Sequence, residues 1–427
     1  MPDYKKKNFS EKSLRKKKKI SDKKAKSSNQ IIFDDDSAGI NKPVRIIKGK
    51  KFERKRKLRI FISALVFLTA VNLLLSLILP VSLSENFTNI VSSFGGGSYP
   101  VSLSGLQTLD SKSVGSVFYI LSDTGLTAYN RSGKEVYHRM CGYENPVLKT
   151  SATRALVYDQ GGNELSVSNL KKVTNTYKSD DSIICANIGR NGTYAVVTSS
   201  SEYAATVNVF NKNSKRLYTW NSAKEIINNI CVSDNGKSIA VSAITVMSGN
   251  YVAHTYILSF DSADPVFSAD SDGKVPLMME SAGKYYYTVF SDGRVSFTNW
   301  KNHKNSEIKK EYDVAFCRNF GNKNLFVFNL LNNKSENIIV YTDNSGKILS
   351  EFKINKNISD IEIYGSHIYC ISDTEVSVYS KEGTLLRKGI CGYGCKRFSV
   401  TSTYSVAVIT DSEITEFDIP KKEKQNV

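Results

Sequence analysis

The segment FYILSDTGLTAYN, Phe118–Asn130, contains a pattern that recurs along the chain. An apolar run leads into Ser-Asp, and a second run follows in which apolar and polar residues alternate. This order is typical of a β-hairpin with one buried and one half-buried strand, joined by an Asp-containing turn. Three other segments repeat the order: Tyr287–Asn299, Tyr369–Ser380 and Ala407–Asp418.

The spacing of these hairpins indicates the architecture. Their turn aspartates, Asp123, Asp292, Asp373 and Asp411, are 169, 81 and 38 residues apart. These intervals are near four, two and one times a period of about 40 residues, the length of a four-stranded propeller blade. Four more candidate hairpins fill the intervals, at Ala155–Asn169, Tyr194–Asn211, Ile239–Phe260 and Leu325–Thr342.

Eight hairpins predict an all-β domain, a β-propeller of eight blades over residues 99–420. Seven blades remain possible if the irregular region Gly236–Met279 is a partial blade. A parallel β-helix is the weaker alternative, because its coils are shorter and lack two hairpin turns per period. A ring must close to avoid exposed sheet edges. We therefore expect Tyr99–Gly105 to supply the outer strand of the blade that contains Ser405–Ile419.

Two further repeated sequence features indicate the order of the strands within each blade. Gly133, Gly346 and Gly383 follow the hairpins in Gly-containing turns, so they are predicted to take positive φ between the third and fourth strands. Cys185 and Cys231, together with Cys317, each precede a glycine by four or five residues. We place these three cysteines on the innermost strands of successive blades.

An uncharged run precedes the repeats, Ile60–Leu79, followed by Pro80. At 1.5 Å per residue, a helix of this length is about 30 Å long, which matches the hydrocarbon core of a bilayer. Residues 59–80 are therefore predicted to be a transmembrane helix. Up to Arg59 the chain has 22 basic and 7 acidic residues, a net charge of +15 out of +17. The positive-inside rule then predicts a cytoplasmic N-terminus and an extracytoplasmic propeller at the cell membrane.

The remaining segments follow from composition. Residues 1–58 are basic and poor in apolar side chains, which predicts a disordered cytoplasmic tail on the anionic inner leaflet. No nucleic acid is expected as a partner, since the tail shows no folded reader and no interleaved aromatic residues. Residues 81–98 are rich in Ser, Asn and Gly and are predicted to be a flexible stalk. Residues 421–427 form a polar tail.

Motifs for chemistry are missing from the sequence. The four histidines, His138, His254, His303 and His367, have no neighbouring ligand at metal-site spacing. There is no Gly-x-Ser-x-Gly elbow, P-loop or paired dinucleotide glycines. The turn aspartates are better explained by turn formation than by calcium binding. No catalytic, cofactor-binding or metal-binding residue is therefore predicted, and no cofactor.

Cysteine is the unusual feature, because an odd number, seven, falls in a domain predicted to lie outside the cytoplasm. Cys141 and Cys391 are interpreted, with the three cysteines above, as small packed side chains on inner strands. They lie in related phrases, RMCGYENP at Arg139–Pro146 and GICGYGC at Gly389–Cys395. A Cys391–Cys395 or a Cys141–Cys391 bridge, and hence a redox site, is the competing interpretation.

Several phrases resemble known propellers. SDNGKSIAV at Ser233–Val241 is similar to the turn and strand of WD40-like and TolB-like blades, and SDTGLTAYNRSGKEVY resembles quinoprotein-like blades. The Trp-Asp dipeptide and the tryptophan docking motif of those groups are absent, since only Trp220 and Trp300 occur. The whole layout resembles an uncharacterised family of membrane-anchored propeller proteins from Gram-positive anaerobes. That resemblance implies a fold but no activity.

Two functions fit this architecture. The favoured one is a membrane-anchored extracytoplasmic scaffold that binds an envelope protein or polymer through the loops of one ring face. The alternative is an enzyme, such as a glycan-directed hydrolase with two acidic residues facing the central channel. The sequence leaves enzymatic activity undecided and favours binding.

Overall fold

The structure, a computed structural model, describes residues 50–78, 91, 94–103, 105–330, 333–372 and 374–421. The chain separates into two compact units, Met1–Leu74 and Leu75–Val427. A helix, α1, spans Lys50–Ile78. Among the described residues, none of the helices combines the length and the apolar character needed to cross a membrane.

Helix α1 begins nine residues before the predicted segment, 50 against 59. Lys and Arg are good helix formers, so the basic residues before Arg59 can continue a helix rather than interrupt it. Residues 1–49 of the predicted tail, and residues 422–427 of the polar tail, lie outside the described part of the chain.

The described strands form eight antiparallel sheets of four strands, which we number as blades in chain order. Blades 1 and 2 contain β2 (Thr108–Val114), β3 (Val117–Ser122), β4 (Gly125–Asn130) and β5 (Glu135–Met140), then β6 (Pro146–Thr150), β7 (Ala155–Asp159), β8 (Glu164–Ser168) and β9 (Val173–Lys178). Blades 3 and 4 contain β10 (Ile183–Ile188), β11 (Tyr194–Thr198), β12 (Ala205–Phe210) and β13 (Arg216–Ser222), then β14 (Ile226–Val232), β15 (Ser238–Met247), β16 (Asn250–Ser259) and β17 (Phe267–Asp272).

Blades 5 and 6 contain β18 (Pro276–Ala282), β19 (Tyr285–Phe290), β20 (Val295–Asn299) and β21 (Asn305–Ile308), then β22 (Asp313–Asn319), β23 (Lys323–Leu330), β24 (Asn333–Asp343) and β25 (Ile348–Asn355). Blade 7 contains β26 (Asp360–Tyr364), β27 (His367–Ser372), β28 (Glu375–Ser380) and β29 (Leu385–Ile390). Blade 8 contains β30 (Arg397–Ser402), β31 (Ser405–Ile409), β32 (Glu413–Asp418) and, from the other end of the domain, β1 (Val101–Ser102).

The first strand of each blade lies innermost, and these strands form the ring. Strand β2 contacts both β6 and β30, so the first and last blades are neighbours. The eight predicted hairpins are the second and third strands of the eight blades. The region Gly236–Met279 contains most of a complete four-stranded blade, β14–β17, so the eight-bladed propeller is confirmed and the seven-bladed alternative is excluded.

The predicted ring closure is confirmed as well. Strand β1 pairs antiparallel with β32, with Val101 opposite Ile414, and the Leu103 amide donates a hydrogen bond to the Ser412 carbonyl at 2.7 Å. The buried Leu103 side chain packs against Phe118 of blade 1 and Ile414 of blade 8. The N-terminal strand therefore completes blade 8 and fills the seam between the last blade and the first.

The turn predictions are confirmed in part. Gly133, Gly346 and Gly383 have φ of 78°, 84° and 90° between the third and fourth strands of their blades. Among the turn aspartates, Asp292 accepts a hydrogen bond from the Arg294 amide two residues on, as an Asx turn requires. Asp123 does not.

In the turn that contains Asp123, the preceding Ser122 makes the side-chain hydrogen bond expected of the aspartate. The Ser122 hydroxyl accepts from the Gly125 amide, and the Asp123 carboxylate accepts from the Gln107 amide before the inner strand. Asp411 likewise binds the Lys396 ammonium instead, and Asp373 lies outside the described residues. The shared Asp thus serves different local contacts, because the neighbouring Ser or Thr can supply the turn bond itself.

The end of the predicted stalk packs on blade 1. The Gly95 carbonyl accepts hydrogen bonds from the Asn130 side chain at 3.2 Å and the Ser132 hydroxyl at 2.9 Å. A Cβ at Gly97 would lie 2.3 Å from the Lys134 amide nitrogen, so glycine alone permits this close approach. The predicted stalk is therefore attached to the β4–β5 turn over residues 95–98.

The closure strand gives the first prediction. Leu103 is 2% exposed, whereas Leu109 is 39% exposed on a neighbouring stretch of chain. Leu103→Ala removes buried contacts at the seam and should lower the free energy of unfolding by roughly 2–5 kcal/mol. Leu109→Ala should change it by less than about 0.5 kcal/mol. Thermal unfolding of both variants measures the difference, and equal melting temperatures would mean that the seam does not stabilise the ring.

Candidate functional site

The two faces of the ring differ in their connections. Because successive strands are antiparallel, second-to-third-strand turns and the links between blades share one face, which we call the loop face. First-to-second and third-to-fourth turns share the opposite, turn face. The N-terminal chain reaches the propeller at the turn face, where residues 95–98 contact the β4–β5 turn.

Exposed large apolar side chains concentrate on the loop face. The described residues of the propeller have fifteen such side chains, and eleven lie at the loop face by their positions in the strands. These are Leu109, Met140, Tyr203, Ile226, Val246, Met247, Tyr251, Leu277, Leu330, Ile390 and Tyr393. The other four, Leu217, Val266, Ile348 and Leu349, lie at starts of fourth strands toward the turn face.

Blade 4 extends the loop face outward. Strands β15 and β16 have ten residues each, against five or six in most second and third strands, and they pair without interruption to Met247 and Asn250. At about 3.3 Å per residue the additional residues lengthen the hairpin by more than 10 Å. Its tip carries the exposed Val246, Met247 and Tyr251. The tip therefore presents apolar side chains on a paired and regular backbone.

The two related cysteine phrases occupy equivalent places on this face. Cys141 and Cys391 directly follow β5 and β29, and their amides donate to the carbonyls of Thr124 and Thr374 at 3.0 and 2.8 Å. The prediction that these two cysteines lie on inner strands is wrong: they begin the links to the next blade. In both phrases a Cys-Gly pair follows the outermost strand of its blade. In the sequence this pair resembles the inner-strand pattern, in which a glycine follows the cysteine by four or five residues.

The thiols of the second phrase lie close together. The sulfur atoms of Cys391 and Cys395 are 3.3 Å apart, and both are free thiols, as are all seven cysteines. The pKa of Cys395 is lowered because the Cys391 thiol donates a hydrogen bond to its sulfur. Between them Tyr393 is 93% exposed. The structure brings Cys391 to Cys395, whereas Cys141 belongs to blade 1, two blades away in the ring.

The inner strands surround a central cavity of about 280 Å³. Residues from all eight blades line it, most of them at the ends of the inner strands toward the turn face. The three inner-strand cysteines predicted from sequence, Cys185, Cys231 and Cys317, do lie on β10, β14 and β22. Burial raises the pKa of Cys185 and of Cys317 to about 12. These thiols stay protonated at neutral pH and act as packed side chains, not nucleophiles.

Acidic residues face the cavity, as the enzyme hypothesis requires. Asp360 and Glu362 lie two apart on β26, and Glu280 lies on β18. Asp360 accepts from the Arg318 guanidinium at 2.8 Å and from the Ile361 amide at 2.9 Å. Glu280 accepts from the Tyr287 hydroxyl at 2.8 Å. Asp360 is therefore held in an ion pair rather than free to attack a substrate.

Glu362 joins three blades. One of its oxygens accepts from the Ser113 hydroxyl of blade 1 at 3.2 Å and from the Val400 amide of blade 8 at 3.3 Å. Ser113 in turn lies 3.0 Å from the Ser399 hydroxyl. Burial, and then the nearby Asp360 charge, raise the pKa of Glu362 to about 8. Sequence patterns do not reveal this group, because the partners of Glu362 are 249 and 38 residues away in the chain.

The histidines do not converge. His138 bonds the Thr127 hydroxyl, His303 stacks on Phe267, and His367 packs near Tyr404. His254 bonds the Glu225 carboxylate and lies 3.6 Å from Asp270. Across the part of the chain that the structure describes, no group of three or more His, Cys, Asp or Glu side chains could hold a metal ion.

Comparisons with known proteins identify the fold. The model of a family of unknown function, DUF5711, matches residues 103–419. No curated protein sequence matches the chain. A computationally designed protein, Ika8, is similar in structure with a TM-score of 0.52 and 12% identity, over 76% of this chain and 100% of that one. This likeness concerns the fold.

Two natural structures are similar at lower scores. BamB from Moraxella catarrhalis has a TM-score of 0.46 and 11% identity, over 73% of this chain and 99% of that one. The β-propeller domain of Cps50 (Swd1) from Myceliophteria thermophila has a TM-score of 0.48 and 9% identity, over 67% and 97% of the two chains.

Glu362 gives the second prediction. Its pKa of about 8 in the folded protein lies above the unfolded value of about 4.3, so the folded state keeps a proton that the unfolded state releases. The free energy of unfolding should therefore fall as the pH rises from about 4.3 to about 8. Glu362→Gln retains an acceptor oxygen without titrating, so it should flatten this decline.

Calorimetric melting temperatures across that pH range test the prediction. Glu164→Gln is the matched control, because its carboxylate is exposed and contacts Lys178 at the surface of blade 2. The control should keep the wild-type slope. A Glu362→Gln variant with the same slope as wild type would show that Glu362 titrates alike in both states.

Proposed function

Since the chain belongs to DUF5711, a family of unknown function, we propose a function from its own surfaces: a scaffold whose loop face binds an extracytoplasmic protein. The observation that carries the proposal is the concentration of eleven of fifteen exposed large apolar side chains on that face. An excess of exposed large apolar side chains on one face favours that face as a site of protein association. Tyr and Met, both present there, are enriched at such interfaces.

The loop face is also built for binding without rearrangement. Nine of the eleven apolar side chains stand at the ends of paired strands, and the blade 4 hairpin is hydrogen-bonded to its tip. A backbone fixed in this way loses little conformational entropy when a partner binds. An envelope polymer is the other ligand class, but aliphatic residues such as Ile226, Leu277 and Ile390 favour a protein surface over a glycan.

Membrane anchoring is the second part of the proposal. Its support is the uncharged run Ile60–Leu79, the net charge of +15 before it, and the outward exposure of apolar side chains such as Phe67 on α1. The basic tail would then lie on the anionic inner leaflet. The chain joins the propeller at the turn face, through residues 95–98. Within the propeller, the loop face lies on the opposite side of the ring from residues 95–98.

The hydrolase hypothesis retains one observation, the raised pKa of Glu362 beside Asp360. A general acid needs such a pKa, and a second, free carboxylate must flank the scissile bond. Asp360 is neutralised by Arg318, and Glu362 is bonded to Ser113 and Val400 of neighbouring blades. Both carboxyl groups have structural partners, so binding is the better supported function.

The loop face gives the third prediction. A photo-crosslinking residue placed at Tyr393 or at Tyr251 in the full chain should give the same covalent protein adduct in cells, and one at Leu349 should not. Tyr393→Ala should then weaken the purified complex by about tenfold or more, as for an interface hot spot. Leu349→Ala, 43% exposed at the turn face, is the matched control and should leave binding unchanged.

Other adducts would contradict the proposal. A protein captured from Leu349 alone would move the binding surface to the turn face. An adduct containing a glycan and no protein would replace the partner by an envelope polymer.

Topology gives the fourth prediction. If residues 60–79 anchor the chain with the propeller outside, a protease added to intact cells should cut between Val81 and Phe94. It should leave residues 1–58 intact, because they lie behind the membrane. Immunoblots against tags at the two ends separate the fragments. Cleavage between Lys5 and Lys57 in intact cells would reverse the orientation.

A further inference from the structure

The charges around the central cavity are sorted by blade. Blades 1, 2 and 3 contribute Lys112, Lys149 and Arg190, one cation each. Blades 4, 5 and 7 contribute acidic residues, Asp234, Glu280, Asp360 and Glu362, and blade 6 contributes Arg318. In a closed ring of eight, blades 1–3 lie across the channel from blades 5–7. One wall is therefore cationic, and the opposite wall is acidic.

The cationic wall has no internal partners. Among the residues that the structure describes, Lys112, Lys149 and Arg190 make neither an ion pair nor a side-chain hydrogen bond. The lysines do face the lumen: Lys149 lowers the pKa of Cys231 on blade 4, and Lys112 that of Cys317 on blade 6, against the larger effect of burial. Lys112 and Lys149 are half-buried and Arg190 is exposed at the mouth of the cavity, so solvent or a ligand supplies the partners of these cations.

A buried hydroxyl in the same cavity is unsatisfied. Ser281 lies beside Glu280 on β18, and its Oγ atom has no hydrogen-bond partner. Most buried hydroxyls are hydrogen-bonded, so an unpaired buried hydroxyl such as this one is unusual in a folded protein.

The acidic wall is partly compensated. Arg318 neutralises Asp360 through the 2.8 Å ion pair. Glu362 is bonded to blades 1 and 8, and its raised pKa leaves it mostly protonated at neutral pH. Among the described residues, the Tyr287 hydroxyl is the one side-chain partner of Glu280, and Glu280 and Asp234 remain as acidic groups toward the lumen. A ligand would thus meet Lys112 and Lys149 on one side and Glu280 on the other.

From this arrangement we propose that the channel is a binding site for a small zwitterion, an amino acid or short peptide, with its carboxylate toward Lys112, Lys149 and Arg190 and its ammonium toward Glu280. The volume fits this class. At about 280 Å³ the cavity is just below the usual 300–1,000 Å³ of small-molecule pockets, so it suits a ligand smaller than a typical drug.

A plain anion or a plain cation fits less well. Either would leave one charged wall uncompensated while it desolvated the other. The site is separate from the loop face, because the cavity opens among residues such as Arg190 and Gly321 that follow the inner strands at the turn face. The proposal therefore does not depend on the partner-binding function.

Calorimetry on the full-length protein with three dipeptide probes tests the proposal. Glycylglycine has both charges, N-acetylglycylglycine has only the carboxylate, and glycylglycinamide has only the ammonium. Glycylglycine should bind at millimolar concentration or below, and each blocked probe at least tenfold more weakly. Lys149→Met should lower the affinity for glycylglycine and abolish its advantage over glycylglycinamide. Glu280→Gln should abolish its advantage over N-acetylglycylglycine, while the Tyr287 hydrogen bond is kept.

Lys178→Met, which removes an exposed lysine of blade 2, is the control and should bind all three probes as wild type does. Arg190→Met offers a second test of the cationic wall on an exposed side chain if Lys149→Met fails to fold. Equal binding of N-acetylglycylglycine would make the cavity an anion site, and equal binding of glycylglycinamide a cation site. Either result, or no binding of glycylglycine, overturns the proposal.

Discussion

The two-residue pairing between β1 and β32 is the constraint on which the rest of the propeller depends. Seven blades are continuous in sequence, but blade 8 has three strands at the C-terminus and takes its fourth from residues 101–102. Without that strand, β32 would expose unpaired backbone groups and the seam would lose Leu103. Closure also fixes where the preceding chain lies, because β1 runs from the turn face toward the loop face. The linker at residues 95–98 is thereby placed on the β4–β5 turn.

A closed ring separates two kinds of surface. The inner strands and the turns that follow them bring charged side chains from seven of the eight blades into one cavity. The opposite face receives the inter-blade links and the hairpin tips, where no neighbouring blade covers an apolar residue. Aromatic packing between blades, such as the edge-to-face contact of Tyr287 with Phe326 at 5.2 Å, makes the ring rigid. One rigid ring therefore has a charged central cavity and an apolar loop face.

Much of this fold was predictable from the sequence, and most of the channel was not. The hairpins repeat a local pattern, so the sequence predicts Phe118–Asn130 and its copies, and the need to avoid exposed sheet edges predicts the closure. The inner strands are different. Five of them have a register shift near their start, for example between Thr108 and Asp110 and between Ile183 and Cys185. Each shift reverses which side chains face the lumen, so alternation in sequence cannot assign Lys112 or Glu280 to the channel.

Glu362 takes part both in the closure of the ring and in the lining of the central channel. Blade 8 is held at its outer edge by β1 and at its inner edge by the Glu362 carboxyl group, which bonds Val400 of blade 8 and Ser113 of blade 1. Strand β1 thus stabilises the seam at its outer edge, and the Glu362 side chain of blade 7 stabilises it at its inner edge. These hydrogen bonds offset part of the free energy that burying the Glu362 carboxyl group costs, because buried polar groups are generally stabilised by hydrogen bonds. Because burial raises the pKa of Glu362 and Arg318 pairs with Asp360, the uncompensated acidic side chains among the described residues of this wall are Glu280 and Asp234.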